Sequence, residues 1–269
     1  MARLPSVLGR LLCIATAATC LGLAPMAAVH ASPARPAAQP SIAGPLVLNP
    51  NPTPANGHTR FGPANQTSSN WFGYAADSGG YTSVQSSWVE PSVDCSRGDG
   101  SAVFWVGLDG WGSGTVEQTG TEADCSSGSP SYSAWWETYP NNSIQTYSDT
   151  VEPGDSLTAK VTFEGNDNYD IYLVDNTQGW TEDNPQQGAS GADNQSAEIV
   201  GETPGYGNNT YAALPDFGTA NFTDSSVDGQ SIGNVNPFGI DLARNGDTLA
   251  TTGGLSGGTD FPVNWVANS

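Results

Sequence analysis

Short strands separated by turn residues dominate this chain, and they constrain its fold more than any other feature. Residues 156–164 alternate apolar and polar side chains from Leu157 to Phe163, which is the period of two of a strand with one buried face. The Gly, Asn and Asp residues at 165–168 favour a turn, and the alternation resumes at Tyr169. The pattern therefore predicts a β-hairpin here.

The remaining sequence follows the same rule. Residues 102–106 are apolar on both faces, as expected of a central strand, and no segment shows a convincing helical stripe. Clusters of Gly, Ser, Asn and Asp recur between short strands, and no interior linker suggests two domains. About 200 residues of this kind predict a single all-β domain, an antiparallel sandwich or barrel.

The two ends of the chain differ in composition from this β region. Residues 1–31 combine a basic start, an apolar stretch and small residues before Ala31, which predicts a cleaved signal peptide and a secreted, extracellular protein. Residues 32–66 are rich in Pro and lack acidic side chains, which indicates a linker or a propeptide. The folded domain is expected to span residues 67–269.

Cysteine usage agrees with export. Two of the four cysteines leave with the signal peptide, and Cys95 and Cys125 remain. In an oxidising compartment they are expected to form one disulfide, which stabilises the fold by about 3 kcal/mol in the chain-entropy model.

The charge balance restricts the available chemistry. All 27 acidic residues lie from Asp77 onward, against three basic ones, Arg97, Lys160 and Arg244. Such a surface repels nucleic acid and anionic membranes, and it favours a monomer. The excess of acidic residues is consistent with an acidic working medium, in which carboxylates lose their charge. It is equally consistent with a role that only keeps a secreted protein soluble.

Histidine is almost absent from the mature chain. His58 alone remains, in the Pro-rich segment, so a Ser-His-Asp triad, a Cys-His pair or a histidine-bound zinc is not expected. Carboxylates, amides and hydroxyls must carry any catalysis, and neither a cofactor nor a metal is expected.

Two segments are candidate sites on physical grounds. Residues 108–120 join an apolar strand to a Gly-rich turn and a polar Glu-Gln-Thr run, and the glycines permit close approach to a ligand. Residues 196–200 place Glu198 among apolar neighbours. If Glu198 faces the core or a cleft, desolvation raises its pKa, whereas an outward-facing Glu198 is an ordinary surface residue.

The domain resembles the glutamic peptidases, or eqolisins, in six blocks that occur in the family's order. The blocks are 68–74 (SSNWFGY), 82–91 (TSVQSSWVEP), 105–110 with 117–120 (WVGLDG and EQTG), 132–137 (YSAWWE), 197–198 (AE), and 216–222 (DFGTANF). They cover most of the mature domain. Each block alone is a weak match, and their shared order makes the resemblance specific.

The resemblance implies a catalytic pair. Glu198 would be the general base that activates water and returns the proton to the leaving amine, and Gln118 would hold the water and stabilise the oxyanion. Residues expected to support the pair or contact substrate are Trp71, Trp105, Asp109, Trp135 and Glu137. The family's run after the catalytic Glu usually contains Trp, whereas this chain has Ile199, Val200 and Gly201, which leaves Glu202 as a competitor for the role.

The resemblance also implies a fold and a substrate. The fold is a sandwich of two bent antiparallel sheets, and the partner is a protein or peptide bound in an extended conformation. The implied function is a secreted acid endopeptidase that needs no metal.

Three other functions compete with this one. A carbohydrate-active enzyme on the same fold would carry three alternating acids, whereas residues 122–124 supply two. A lectin-like binding module is not excluded by fold. A pepsin-like enzyme would carry Asp-Thr-Gly or Asp-Ser-Gly loops, and neither triplet occurs.

Overall fold

A computed structural model describes residues 65–207 and 210–268, and the ordered elements in these ranges are strands and two short 3-10 helices. The predicted signal peptide and nearly all of the Pro-rich segment lie outside the described residues. Within the described ranges, no helix has the length and apolar character needed to cross a membrane.

The described residues form eighteen strands. They are β1 Gln66–Ser68, β2 Trp71–Ala76, β3 Ser83–Val89, β4 Gly100–Leu108, β5 Val116–Ser126, β6 Ser129–Tyr139, β7 Asn142–Thr146, β8 Ser156–Gly165, β9 Asn168–Asp175, β10 Trp180–Gln187, β11 Ala197–Glu202, β12 Gly205–Gly207, β13 Thr210–Tyr211, β14 Thr219–Val227, β15 Gln230–Ser231, β16 Phe238–Arg244, β17 Asp247–Thr252 and β18 Phe261–Trp265. The 3-10 helices are Cys95–Arg97 and Ile232–Val235.

Most of the strands form one long hydrogen-bonded ladder. Its order is β10-β9-β8-β3-β14-β18-β17-β16-β2-β11-β4-β5-β6-β7, and all of these neighbours are antiparallel. Strands β3, β8, β9 and β14 from one half contact β4, β5 and β11 from the other. The predicted antiparallel sandwich is therefore confirmed. Its two layers are joined into one sheet through β17 and β18, and β12 and β13 form a small separate sheet.

The layer that contains β4, β5 and β11, called the second layer below, has two different faces. Alternate residues of β4, such as Phe104 and Val106, join the large apolar cluster that fills the space between the layers. The intervening residues, such as Trp105, join a smaller cluster with Trp71 and Trp135. We call the side of the second layer that carries these three indoles the tryptophan face. The apolar character of β4 on both sides follows from this central position.

The local predictions for the hairpin and the disulfide are also confirmed. Strands β8 and β9 pair in antiparallel register, and the turn between them places Asn166 and Asp167 at positive φ. Asn and Asp tolerate this conformation better than most residues, which explains the turn sequence. Cys95 and Cys125 form a disulfide that joins the first 3-10 helix to β5.

Candidate active site

A row of polar side chains crosses the tryptophan face on three strands. In the antiparallel register, Glu198 of β11 lies opposite Gly107 of β4, Gly107 opposite Gln118 of β5, and Gln118 opposite Glu137 of β6. Directly paired residues project to the same side of a sheet. Glu198, Gln118 and Glu137 therefore share one face, and all three are almost completely buried.

Gly107 keeps the middle of this row open. A Cβ atom at this position would lie 2.8 Å from the Trp105 ring and 3.1 Å from the Cβ of Gln118. Any other residue would displace the indole or the glutamine. The sequence places glycine here because a large ring must lie over the strand, which is a constraint on packing rather than on φ.

Gln118 is held by Glu137. The Nε2 of Gln118 donates a hydrogen bond of 2.5 Å to Oε2 of Glu137. Oε1 of Gln118 and Oε1 of Glu137 are buried and have no hydrogen-bond partner among the described residues. Burial raises the pKa of Glu137 to about 8, against the lowering effect of the bond from Gln118. The carboxamide is thus fixed in orientation while its oxygen stays available to another group.

Glu202 lies on the same face, four residues after Glu198. Asn70 donates from Nδ2 to Oε1 of Glu202 at 2.9 Å, and Trp105 donates from Nε1 to Oε2 at 3.0 Å. Ser68 in turn donates to Oδ1 of Asn70 at 3.0 Å, which directs the amide group toward the carboxyl. Donors from two other strands or their ends therefore fix both oxygens of Glu202.

The charge of Glu137, the partner of Gln118, acts on Glu202. Burial raises the pKa of Glu202 well above its ordinary value, the hydrogen bond from Asn70 lowers it, and the charge of Glu137 raises it again. The bond from Trp105 lowers it further. Since Glu137 comes from β6 and Glu202 from β11, this interaction joins the two carboxyls across the intervening strands.

Glu198 interacts with a different part of the molecule. Its Oε1 accepts from the backbone N–H of Trp111 at 3.3 Å, in the loop that follows β4, and its Oε2 is buried without a partner in the described part of the chain. Burial raises its pKa well above the ordinary value, hydrogen bonds from Ser196 and Trp111 lower it, and the charge of Asp109 raises it. Glu198 thus faces this loop, although it shares a row with Gln118.

Asp109 organises the segment that leads into β11. It has a φ of 63° at the end of β4, and its carboxylate accepts from the backbone N–H groups of Asp193, Asn194 and Gln195 at 2.7–3.0 Å. Three amides on one carboxylate make a rigid anchor. Asp109 therefore supports β11 rather than joining the polar row.

The three predicted tryptophans form the apolar part of the site. Trp71 and Trp105 pack edge to face with ring centroids 5.0 Å apart, and Trp135 lies in the same cluster. The partly exposed side chains of Trp111, Tyr139 and Phe238 pack against them. The structure therefore brings together Gln118, Glu198 and the predicted supporting residues Trp71, Trp105, Trp135 and Glu137 on one face.

Strand β11 pairs regularly despite its unusual sequence. The register with β2 and β4 continues without a shift from Ala197 to Glu202. Gly201 points to the opposite face, where an added Cβ would lie 2.2 Å from the Phe72 ring. The position of Phe72 thus explains the glycine at position 201, which interrupts the family pattern. Because the register does not shift, Glu202 stays on the tryptophan face.

Sequence reasoning missed two residues of the site. Asn70 lies inside a block used for the resemblance, yet nothing in its sequence context indicates a bond to a glutamate 132 positions later. Trp111 contacts the site through its backbone, which side-chain patterns do not report. In the part of the chain that the structure describes, no cluster of three or more His, Cys, Asp or Glu residues is arranged to hold a metal ion.

This arrangement suits acid–base chemistry on a neutral substrate. The buried carboxyl of Glu202, whose pKa is raised, is fixed by two donors, and the carboxamide of Gln118 on the same face offers one free oxygen and one free N–H. Such a pair can hold a water molecule, accept its proton and donate a hydrogen bond to a developing oxyanion.

Comparisons with known proteins agree with this geometry. The profile of the Peptidase A4 family matches residues 69–265. Aspergillopepsin-2 of Aspergillus niger is 27% identical over 209 residues, which cover 69% of this chain and 74% of that protein.

Solved structures show the same fold. Scytalido-glutamic peptidase with a transition state analog inhibitor aligns with a TM-score of 0.64 and 24% identity over 74% of this chain and 98% of that one. Aspergilloglutamic peptidase from Aspergillus niger aligns with a TM-score of 0.55 and 28% identity over 62% and 99% of the two chains. The profile spans most of the described residues and includes the whole polar row, so the chain belongs to the Peptidase A4 family, the family of the glutamic peptidases.

Proposed function

We propose that this protein is a secreted acid endopeptidase in which Glu202 is the general base and Gln118 stabilises the oxyanion. Two observations support the assignment: Asn70 and Trp105 fix the carboxyl of Glu202, and the charge of Glu137, the partner of Gln118, raises the pKa of Glu202. Glu198, the residue expected from the resemblance, stays the alternative, because it shares the row of Gln118 and has an unpartnered oxygen.

Two contrasts favour Glu202 over Glu198. Side-chain donors, Asn70 and Trp105, hold the carboxyl of Glu202, whereas a loop N–H and Ser196 hold that of Glu198. The charge of Glu137 acts on Glu202, while the charge that acts on Glu198 is that of Asp109 in the loop.

The reaction follows from these contacts. The ionised carboxylate of Glu202 takes a proton from a water that Oε1 of Gln118 also holds, and the water oxygen attacks the scissile carbonyl carbon. The second N–H of Gln118 donates to the oxygen that becomes negative. Glu202 then passes its proton to the leaving nitrogen as the C–N bond breaks, which restores the carboxylate and completes hydrolysis.

The effect of the Glu137 charge on Glu202 implies that the active form carries one proton on these two carboxyls. When both Glu202 and Glu137 are protonated, no base is available, and when both are ionised, their repulsion opposes the geometry that holds Gln118. The rate is therefore expected to follow a bell-shaped pH profile. At pH 4 burial keeps most of the Glu202 and Glu137 carboxyls protonated, so the rate there comes from the fraction of molecules in which Glu202 is ionised. An acidic medium is proposed because the other buried carboxyls are neutral and the fold is most stable there.

The substrate is proposed to be a protein chain in an extended conformation. The tryptophan face offers apolar surface around the polar row, and Trp111, Tyr139 and Phe238 are its partly exposed side chains. Since Gln118, Glu137 and Glu202 are almost fully buried, a peptide reaches them only when side chains around the face move aside. Backbone hydrogen bonds would then supply affinity, and apolar pockets would supply preference.

Digestion of denatured casein at pH 4 tests the assignment. Glu202→Gln and Gln118→Ala are each expected to lower the rate by about 10²–10³ or more, as for loss of a general base or an oxyanion donor. Glu198→Gln is expected to keep a measurable rate, and Glu164→Gln, which removes an exposed carboxylate, serves as the matched control.

The outcomes separate the alternatives. Inactivity of Glu198→Gln together with an active Glu202→Gln would transfer the base to Glu198. Wild-type rates in both variants would end the carboxylate hypothesis. Absence of casein cleavage by the wild-type protein would return the function to a carbohydrate-active enzyme or a lectin-like module.

A further inference from the structure

Arg244 stands out because it is a half-buried cation in a strongly acidic domain. It is the last residue of β16 and one of three basic residues after position 66. Burial lowers its pKa to about 10, whereas the charges of Tyr211 and Glu202 raise it. A desolvated guanidinium needs partners that compensate for lost water, so its contacts identify what it stabilises.

The contacts of Arg244 surround Glu202. Its Nε donates to the backbone oxygen of Ser69 at 2.7 Å, and its second terminal nitrogen donates to Oγ1 of Thr203. Ser69 directly precedes Asn70, which donates to Glu202, and Thr203 directly follows Glu202. One planar group therefore holds the chain beside Glu202 and the chain beside its hydrogen-bond donor.

Two further contacts complete this arrangement. The backbone N–H of Thr203 donates to the oxygen of Asn70 at 2.9 Å, which ties the end of β11 to the start of β2. The first terminal nitrogen of Arg244 donates to the oxygen of Ala212 at 3.0 Å, and the guanidinium lies 4.8 Å from the centroid of the Tyr211 ring. Arg244 thus links β2, β11 and the β12–β13 sheet.

We propose that Arg244 is a positioning residue for Glu202: its guanidinium fixes the chain on both sides of that carboxylate and supplies the positive charge that favours the ionised form. This inference rests on the proposed function, in which Glu202 is the base. Catalysis in acid requires an ionised base, and a nearby cation makes ionisation easier.

Glu137, Arg244 and Tyr211 are titratable groups whose charges interact with Glu202. Glu137 from β6 opposes its ionisation, Arg244 from β16 favours it, and Tyr211 from β13 is neutral in acid because burial raises its pKa above the ordinary value. The remaining contacts come from neutral side chains of β2, its N-terminal end and β4. Arg244 is therefore the cation that offsets Glu137.

The pH dependence of kcat on one peptide substrate tests this proposal with two substitutions. Arg244→Gln removes both the charge and the fork, meaning the planar set of guanidinium N–H donors. It is expected to move the acid limb of the kcat profile upward by about one pH unit. Arg244→Lys keeps the charge but loses the fork, so the limb should stay in place while kcat falls several-fold. Arg97→Gln, at an exposed arginine, should change neither.

Each outcome bears on the proposal. An unchanged acid limb in a folded Arg244→Gln variant would overturn the electrostatic role. If that variant does not fold, the Lys variant decides: a shifted limb or a wild-type kcat would overturn the proposal. A fully active Glu202→Gln protein would instead refute the proposed function, so the two failures are distinguishable.

Discussion

Glu117 offers a quantitative test of what limits the stability of this protein at neutral pH. Its side chain lies on the core face of β5, where Oε1 accepts from the N–H of Ala189 at 2.8 Å and Oε2 has no partner within residues 65–207 and 210–268. Burial raises its pKa from the ordinary 4.5 to about 8, and the charges of Asp109 and Asp167 raise it too, against the Ala189 bond. The neutral acid is therefore the form that the fold accommodates.

The direction of the pH effect follows from linkage. Because the pKa is higher in the folded state, the protonated side chain contributes full stability below pH 4.5, and this contribution is lost as the pH rises through about 8. At about 1.4 kcal/mol for each pH unit, the loss is roughly 3 kcal/mol at pH 7. Burial also raises the pKa of Glu90, to about 7, so its ionisation further lowers the stability of the fold as the pH rises. Total stabilities of 5–15 kcal/mol are typical, so these losses matter.

The substitution Glu117→Gln mimics the neutral acid at every pH. We expect it to leave the free energy of unfolding nearly unchanged at pH 4 and to raise it by about 3 kcal/mol at pH 7 relative to wild type. Urea unfolding, followed by tryptophan fluorescence at both pH values, measures this difference. Glu152→Gln is the control, because it removes the same formal charge from an exposed site.

The control separates two causes of neutral-pH instability. If repulsion among the 27 carboxylates dominated, both variants would gain the same stability at pH 7. Equal gains would refute the reasoning from burial. A melting temperature of the wild-type protein that stays flat from pH 4 to 8 would refute both causes.

Two further predictions concern single structural features. Gly107→Ala is expected to displace the Trp105 ring or Gln118. Casein digestion at pH 4 should therefore fall by about 10-fold or more, and the free energy of unfolding by about 1–3 kcal/mol. Unchanged turnover would show that the row tolerates a methyl group. Replacing Cys95 and Cys125 together by serine should lower the free energy of unfolding by about 3 kcal/mol in urea titrations, and a difference below about 1 kcal/mol would contradict the chain-entropy estimate.

Local patterns in the sequence were sufficient to predict the strands but not to choose between the two candidate carboxyls, Glu198 and Glu202. The alternation at 156–164 predicted β8, and the apolar run at 102–106 predicted a central strand, because both depend on period and burial alone. The disulfide followed from the count of cysteines outside the predicted signal peptide. These features need no knowledge of how the layers meet.

The choice between Glu198 and Glu202 depends on distant contacts. A period of two places both on the same face, so alternation cannot separate them. What distinguishes them is which side chains reach each carboxyl: Asn70 and Trp105 for Glu202, and the N–H of Trp111 for Glu198. Such contacts arise from the packing of the whole layer and leave no local signal.

The long ladder has only two open ends among the described strands, β10 and β7. At acidic pH the carboxylates that would keep such ends apart in solution lose charge, and intermolecular strand pairing becomes a hazard. Strand β7 is five residues long, and β10 contains Pro185, which has no N–H to offer a neighbouring molecule. Protection against aggregation thus rests on strand length and on an imino acid, neither of which titrates.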